Sequence, residues 1–399
     1  MKQESGRFEL SPRFGVEGLF FERVIAVKGV EMRIRSSWLL AGLSQALWAC
    51  GGATPPPTDP ADAATPPGEV VAATPPPAPA AAPAPVAAAP TPEEQKKAAE
   101  QEQLKKDYAK LEADQQAEST RLTPEIRKSS QALADKSFPS TKAALTAALA
   151  SPHRKPGNAA RDGSRHPQET LELFGLKPNQ SVLEYGPGEG WYTELLAPVL
   201  AKNGKLYITE TDPNGPKDQR STFYGLSTKS FLDKLPELYG KVEPTLIDSK
   251  APKLPFDNKL DLVILARSLH GMYNSKQLGP WLAEFHHALK PKGVLGIEQH
   301  RAAAGQNPDE TSKKGYLPEA FVIEQVEKAG FKLVTRSEIN ANPKDTKDYP
   351  EGVWSLPPTL REGEKNRDRY VAIGESDRMT LKFEKIERAP SPSPVTKSQ

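Results

Sequence analysis

Residues 181–198 read SVLEYGPGEGWYTELLAP, and the rest of the domain can be placed from them. An apolar run ends in the acid Glu184, three glycines then alternate with other residues, and an apolar segment with helix formers follows. Glycines between a strand and a helix let the backbone approach a ligand closely, and the start of the helix offers free N–H groups and a positive dipole end. The pattern predicts a nucleotide-binding turn at the carboxyl end of a strand.

The spacing of these glycines separates two classes of nucleotide site. A dinucleotide fingerprint needs glycine at its first, third and sixth positions, but Trp191 stands at the sixth position and the third glycine comes one residue earlier. The arrangement acid-x-Gly-x-Gly-x-Gly resembles motif I of class I S-adenosylmethionine-dependent methyltransferases. The resemblance implies S-adenosylmethionine as cofactor. It assigns this part of the cofactor site to Glu184, Gly186, Gly188, Gly190 and, in the first helical turn, Tyr192.

The region around motif I alternates between strand-like and helix-like segments. Such alternation favours an α/β fold with a doubly wound, mostly parallel sheet, here Rossmann-like and seven-stranded, over residues 137–386. Residues 340–375 are polar and contain prolines, which predicts a long loop. The predicted strands are 181–184, 205–210, 245–248, 260–265, 294–298, 332–338 and 379–385.

Other segments extend the resemblance over roughly residues 160–386. GKLYITETDP (204–213) ends a strand at Glu210 and Asp212, about 20 residues beyond the glycines, where an acid accepts hydrogen bonds from ribose hydroxyls. In LIDSKAPKLPF (246–256), Asp248 would lie beside the adenine. ARSLHGM, GVLGIEQHRAA and ESDRMTLKF are most similar to a group of bacterial predicted methyltransferases of unassigned substrate, so the resemblance implies a class of reaction and no acceptor.

The catalytic candidates follow the fourth and fifth predicted strands, because ligands of open α/β sheets bind at the carboxyl ends of the strands. We expect His270 or His300 to act as a base and Arg267 or Arg301 to hold an anionic acceptor, with Glu298 on the same face as His300. The alternative is that each histidine is only a satisfied polar residue at a strand end.

Several further polar residues are expected to lie outside the catalytic centre. His286 and His287 lie within a predicted helix and read as surface or packing residues, and histidines without cysteine partners give little support for a metal site. Four residues that precede motif I would cap the pocket. They are Arg161, Asp162, Arg165 and His166.

The N-terminal part of the chain has the pattern of an export signal. In residues 32–49, a basic start is followed by a short apolar run, and Cys50 comes next. LWAC (47–50) resembles the lipobox of bacterial lipoproteins, which implies lipidation of Cys50. The alternative is a short hydrophobic helix in a folded region. Signal peptides begin near the first residue of a protein. We therefore expect translation to start at Met32, and residues 1–31 to be a leader that results from an incorrectly assigned start codon.

Between this signal and the domain, composition predicts a tether. Residues 50–92 are rich in proline and alanine and cannot build a core, so we expect a disordered linker. Residues 93–136 predict a charged helical segment, whose narrow apolar stripe at 93–118 would pack on the domain or on a second copy. Residues 387–399 predict a disordered tail. The net charge of +2 does not suggest a nucleic-acid partner.

Two functions are compatible with these features. The first is an S-adenosylmethionine-dependent methyltransferase for a small or lipid-linked acceptor, tethered to a membrane through Cys50. The second is a catalytically inactive binding module of the cell envelope with the same fold. Gly51 after the cysteine favours an outer-membrane lipoprotein that faces the periplasm, whereas an unused signal would leave the protein cytoplasmic.

Overall fold

The computed structural model describes residues 91–387. The predicted leader, signal sequence and Cys50, nearly all of the linker, and the tail from residue 388 lie outside the described residues. Within 91–387, no helix has both the length and the apolar character that a membrane span requires.

A seven-stranded sheet forms the centre of the described residues, with the order β3-β2-β1-β4-β5-β7-β6. Neighbouring strands pair in parallel except β7, which is antiparallel to both β5 and β6. This is the class I methyltransferase fold that the resemblance implied, so the predicted fold class is confirmed. The strands are β1 Ser181–Tyr185, β2 Lys205–Glu210, β3 Glu243–Leu246, β4 Leu260–Ala266, β5 Leu289–His300, β6 Phe331–Ser337 and β7 Arg378–Lys385.

Helices cover both faces of this sheet, and two short 3₁₀ helices occur at Ser312–Lys314 and Gly352–Ser355. The α-helices are α1 Pro92–Arg121, α2 Pro124–Asp135, α3 Thr141–Leu149, α4 Pro156–Ala159, α5 Asp162–Arg165, α6 Pro167–Phe174, α7 Thr193–Leu200, α8 Arg220–Asp233, α9 Pro236–Tyr239, α10 Leu269–Asn274, α11 Leu278–Ala288, α12 Pro308–Thr311, α13 Glu319–Lys328 and α14 Arg367–Ile373.

The core lies in two layers because successive residues of a strand point to opposite faces of the sheet. In β1, Val182 packs in the cluster that contains α7, and its neighbour Leu183 packs in the cluster that contains α11. Both side chains are fully buried. The apolar runs of the central strands are therefore unbroken, as expected for a parallel sheet covered on both sides.

Some element boundaries differ from those predicted. β3 ends at Leu246, two residues earlier than expected, and Asp248 lies beyond it in an isolated bridge with Ala251. β5 begins at Leu289 instead of residue 294, since Leu289 pairs with Leu260 across a register shift. The segment 340–375 contains the 3₁₀ helix Gly352–Ser355 and α14, so it is more structured than a long loop.

The charged helix α1 packs against α8. The Tyr108 ring meets Phe223 edge-on at 5.3 Å, and Gln115 Nε2 donates a hydrogen bond to Ser230 Oγ at 2.7 Å. The apolar stripe of this helix therefore has a partner within the chain. Self-association through 93–118 stays a prediction.

Candidate functional site

The turn after β1 holds its three glycines at positive φ, with values of 64° at Gly186, 58° at Gly188 and 79° at Gly190. Residues with a Cβ rarely adopt this conformation. A Cβ on Gly190 would overlap the Phe231 ring, whereas a Cβ on Gly188 would meet no atom of the described residues within 4 Å. Gly190 is therefore needed for packing, and Gly188 borders open space that a ligand can enter.

Two hydrogen bonds fix this turn to the strands beneath it. The backbone N–H of Gly186 donates to Thr209 Oγ1 at 2.8 Å, which ties the turn to β2. Thr193 Oγ1 donates to Glu184 Oε2 at 2.7 Å, which ties the first turn of α7 to β1. Burial raises the pKa of Glu184 to about 7. The Glu184 carboxyl thus holds the turn in place from inside the protein.

The three acids predicted to bind the nucleoside differ in how their carboxylates are used. Asp212 Oδ1 accepts the N–H of Asn214, and Asp248 Oδ1 accepts the N–H of Lys250, both at 2.8 Å. These two acids therefore cap their own loops. The carboxylate of Glu210, at the end of β2, accepts no hydrogen bond from residues 91–387, and burial raises its pKa. Glu210 is the acid available to a ribose.

The structure brings the two predicted catalytic histidines together. The rings of His270 and His300 lie 5.9 Å apart, and Trp354, from the 3₁₀ helix Gly352–Ser355, meets His270 at 5.8 Å. His270 Nδ1 lies 3.3 Å from Gln299 Nε2, and His300 Nδ1 lies 2.5 Å from Ser376 Oγ. Burial lowers the pKa of both histidines, so both are neutral at pH 7.

Glu298, two residues before His300 in β5, is a buried carboxylate with partners on both oxygens. Tyr192 Oη donates to Glu298 Oε2 at 2.6 Å, and Arg378 Nε and Arg267 Nη1 lie 3.0 and 3.4 Å from Oε1. Burial by itself would raise the pKa of Glu298, but Arg378 and Arg267 outweigh it and the pKa is lowered. The hydroxyl of Tyr192, predicted to contact the cofactor, is therefore used inside the protein.

The two arginines predicted to hold an acceptor have different surroundings. The Arg301 guanidinium contacts Glu338 at 2.6 Å, Asp377 at 2.9 Å and Glu319 at 3.0 Å, and these contacts raise its pKa. Arg267 contacts Glu298 alone among the described carboxylates, at 3.4 Å, and its backbone has a positive φ of 58°. Of the two guanidinium groups, that of Arg267 is the one with free donors.

Three further residues contribute to this region without having been predicted. They are Trp354, Glu375 and Arg378, and the last two lie in the ESDRMTLKF segment, whose run of charges directly before a strand was the only signal in the sequence. Glu375 pairs with Arg165 at 2.8 Å and with Arg161 at 3.2 Å. Two of the predicted capping residues thus reach the end of the sheet where the histidine pair lies.

The other capping candidates and the helical histidines serve the protein interior and surface. Asp162 pairs with the buried Arg154, and His166 Nδ1 lies 3.4 Å from Asn340 Oδ1. His286 contacts the backbone carbonyl of Ile386 at 3.2 Å, and His287 is exposed on α11.

No protein-family model matches the chain. A ubiquinone/menaquinone biosynthesis C-methyltransferase of Hydrogenovibrio crunogenus is 25% identical over 130 residues, which are 33% of this chain and 46% of that protein. The chain therefore spans about half the length of this curated relative.

Solved structures that are similar to the chain include the following two. One is a SAM dependent methyltransferase from Aquifex aeolicus, with 19% identity over 58% of this chain and 94% of the other, at a TM-score of 0.37. The other is a Burkholderia thailandensis 1,6-didemethyltoxoflavin-N1-methyltransferase with bound S-adenosylhomocysteine, with 14% identity over 58% and 80% of the two chains, at 0.35.

Proposed function

We propose that this chain, which has the class I methyltransferase fold, is an S-adenosylmethionine-dependent methyltransferase acting on a small or lipid-linked acceptor. One observation carries the proposal. The turn that follows β1 leaves open space over Gly188, and the free carboxylate of Glu210 ends the neighbouring strand. A backbone cradle and a hydrogen-bond acceptor side by side fit a nucleoside with its ribose hydroxyls.

The residues of the turn would bind the cofactor through shape and hydrogen bonds. Gly188 admits the ligand to the backbone of the turn, and Glu210 accepts from the ribose. S-adenosylmethionine supplies a methyl group that already carries its leaving group. What the protein must add is an acceptor held in line with that methyl group and shielded from water, a contribution of positioning.

The histidine pair would manage the acceptor proton. Both side chains are partly buried, His270 shortly after β4 and His300 at the end of β5, and both are neutral at pH 7 because burial lowers their pKa. A neutral imidazole can accept a proton from a protonated acceptor. Their Nδ1 atoms contact Gln299 and Ser376, and no hydrogen bond reaches either Nε2 atom from the described part of the chain. The amide of Gln299 can only donate from Nε2, so His270 Nδ1 accepts and the neutral His270 carries its proton on Nε2. His300 Nδ1 can donate to the hydroxyl of Ser376, which leaves the Nε2 of His300 unprotonated. Nε2 of His300 is therefore the atom proposed as base.

The proposed setting is the cell envelope. Residues 32–49 followed by Cys50 support a lipid anchor, the proline-rich linker supports a tether, and Gly51 supports an outer-membrane lipoprotein facing the periplasm. Labelling of cells with radioactive palmitate, with Cys50→Ser as the control, tests the anchor. Label on the wild type and none on the variant is the expected result, and an unlabelled wild type contradicts it.

The enzymatic proposal is tested by calorimetric titration of the full chain with S-adenosylmethionine and S-adenosylhomocysteine, with Gly188→Asp as the control. We expect micromolar binding of both ligands to the wild type and none to the variant, because a carboxylate would fill the space over the turn. Absence of binding to folded wild-type protein would leave the fold unchanged and refute the proposed function.

A further inference from the structure

A connected network of six charged side chains, four of them buried, lies close to both the glycine turn and the histidine pair. Glu375 contacts three guanidinium groups and Glu298 contacts two, and one arginine belongs to both sets. The members are Arg161, Arg165, Arg267, Arg378, Glu298 and Glu375.

This network is not electrically balanced. Four guanidinium groups face two carboxylates, an excess of two positive charges. Two further carboxyls act on this network, Glu184 on Arg267 and Glu189 on Arg161. Glu189 is already compensated by Lys110 and Lys155. An excess of one charge therefore remains if Glu184 is ionised. Removing a charge from water is costly unless an opposite charge compensates it. We therefore expect an anion to compensate the excess positive charge of this network.

A neighbouring network in the same molecule has equal numbers of positive and negative charges. It contains three cations and three carboxylates, so each buried charge is compensated. Its members are Arg121, Arg154, Lys234, Glu118, Asp162 and Glu194.

Arg165 is the buried arginine of this network whose guanidinium is least compensated. Its side chain is 2% exposed, its Nε donates to both oxygens of Glu375, and its Nη1 is buried with no hydrogen-bond partner in residues 91–387. Its guanidinium lies over the Trp191 ring at 4.9 Å, directly after the glycine turn. Burial, followed by Arg267, lowers its pKa to about 9. Unless a ligand accepts a hydrogen bond from it, a buried donor of this kind destabilises the protein by the full free energy of its removal from water.

Access to Arg165 is compatible with a ligand bound at the active site. Arg161 and Arg267, with about a fifth of each side chain exposed (22% and 23%), are the outer members of the network. A Cβ built on Gly186 would lie 3.5 Å from the hydroxyl of Ser268, the residue after Arg267, so the network borders the glycine turn. A group that enters beside Arg267 can therefore be part of a ligand that also contacts the turn.

We propose that Arg165 and Arg267, supported by Arg161 and Arg378, bind one anionic group, a carboxylate or phosphate, of a ligand in the active site. The inference rests on the proposed function, which supplies two possible sources of this anionic group. They are the carboxylate of the cofactor's methionine part and an anionic methyl acceptor. Guanidinium groups suit either anion because their planar donors match carboxylate and phosphate oxygens.

The test uses the full chain and the variants Arg165→Gln and Arg267→Gln. Arg154→Gln is the matched control, since Arg154 is equally buried and lies over the same Trp191 ring at 6.0 Å but has two carboxylate partners. Without ligand, we expect Arg165→Gln to keep the melting temperature of the wild type, because Glu375 keeps Arg161 and Arg378. We expect Arg154→Gln to lower it. If Arg165→Gln does not fold, the partly exposed Arg267 gives the same readouts.

The probes separate the two sources of the anion. S-adenosylhomocysteine carries the methionine carboxylate, and 5′-methylthioadenosine shares the nucleoside and sulfur but lacks that carboxylate. If the cofactor supplies the anion, both variants bind S-adenosylhomocysteine about tenfold more weakly or worse and bind methylthioadenosine normally. If the acceptor supplies it, both nucleosides bind normally, and phosphate or benzoate at constant ionic strength raises the melting temperature of the wild-type complex but not that of the variants.

Variants that match the wild type with every probe would overturn the proposal. If the wild type binds neither nucleoside, the proposed function fails, but phosphate and benzoate added to the free protein still test the anion site. The two failures are thus distinguishable.

Discussion

The glycines after β1 have positive φ angles for different structural reasons, and this yields a paired prediction. Gly190→Ala should lower the free energy of unfolding by about 2–4 kcal/mol, because a Cβ would overlap Phe231 and φ would be strained. Gly188→Ala should cost about 1 kcal/mol from strain alone but should weaken S-adenosylhomocysteine binding more than tenfold, since its methyl occupies the ligand's space. Urea unfolding and calorimetry measure the two effects, and normal binding by folded Gly188→Ala would contradict the assignment.

The acids after β2 allow a second paired prediction. Glu210→Gln should weaken S-adenosylhomocysteine binding by about 1.5–3 kcal/mol, the range for hydrogen bonds to a charged group, because Glu210 has no competing partner in residues 91–387. Asp212→Asn should change binding by less than about threefold, because its carboxylate caps the loop at Asn214.

The pH dependence of binding provides a further check on Glu210. Burial raises the pKa of its carboxyl, so the wild-type affinity should fall as the pH drops through that raised pKa, and Glu210→Gln should lose this dependence. If Glu210→Gln and Asp212→Asn weaken S-adenosylhomocysteine binding equally, Asp212 also accepts a hydrogen bond from the ribose.

The sequence allowed prediction of those parts of the site that depend on neighbouring residues. The glycine turn and Glu210 are short-range features, and the shared sheet edge predicts that His270 approaches His300. The pairing of Arg165 with Glu375 spans 210 positions along the chain. The capture of Arg301 by three carboxylates likewise depends on how separate elements pack. No local pattern encodes such contacts.

The strands were predictable because their apolar runs are buried on both sides, while their ends depended on partners. β5 extends back through the polar residues that follow Leu289 because that residue pairs with Leu260. β3 lies at the edge of the sheet, where only β2 pairs with it, and its sequence signal was displaced by two residues. Hydrophobic periodicity reports burial, whereas the ends of a strand are set by hydrogen bonds to a neighbour.

Helix α1 yields a prediction about packing between elements. Tyr108→Ala should lower the free energy of unfolding by about 2 kcal/mol, because it removes the edge-on contact with Phe223 and the apolar area behind it. The exposed Lys105 on the same helix is the matched control, and Lys105→Ala should change stability by less than about 0.5 kcal/mol. Denaturant unfolding measures both variants.

Sedimentation of the same proteins distinguishes packing within the chain from self-association. We expect no change in molecular mass, because the Tyr108 ring packs on Phe223 of the same chain. A Tyr108→Ala variant with unchanged stability and a smaller mass would instead place the stripe at an interface between copies.

Buried titratable groups make the stability of the whole described unit depend on pH in two opposite ways. Burial lowers the pKa of His153 to about 4 and also lowers those of His270 and His300. Burial raises the pKa of Glu184 to about 7. The histidines stabilise the fold fully above their unfolded pKa of 6.5, and this contribution is lost as the pH falls toward their folded values.

His153 gives the clearest measurement of the acid effect. Its Nε2 contacts the carbonyl of Glu194 at 2.9 Å and its Nδ1 contacts Ser151 Oγ at 2.8 Å, so a glutamine can keep part of this bonding. Between pH 7.5 and 5, the unfolded His153 takes up a proton that the folded one refuses, which should cost the wild type about 2 kcal/mol. His153→Gln should be less stable at pH 7.5 but should show a shallower loss toward pH 5.

Glu184→Gln tests the opposite sign in the same denaturation series. A raised carboxyl pKa means that the folded state holds a proton that the unfolded state releases, so stability is lost as the pH rises from 4.5 through about 7. The glutamine carries no proton to release, and its side-chain oxygen can still accept from Thr193. The variant should therefore match the wild type near pH 5 and exceed it by about 2 kcal/mol at pH 8. A variant that is weaker at pH 8 would mean that the ionised carboxylate, compensated by Arg267, stabilises the turn after β1.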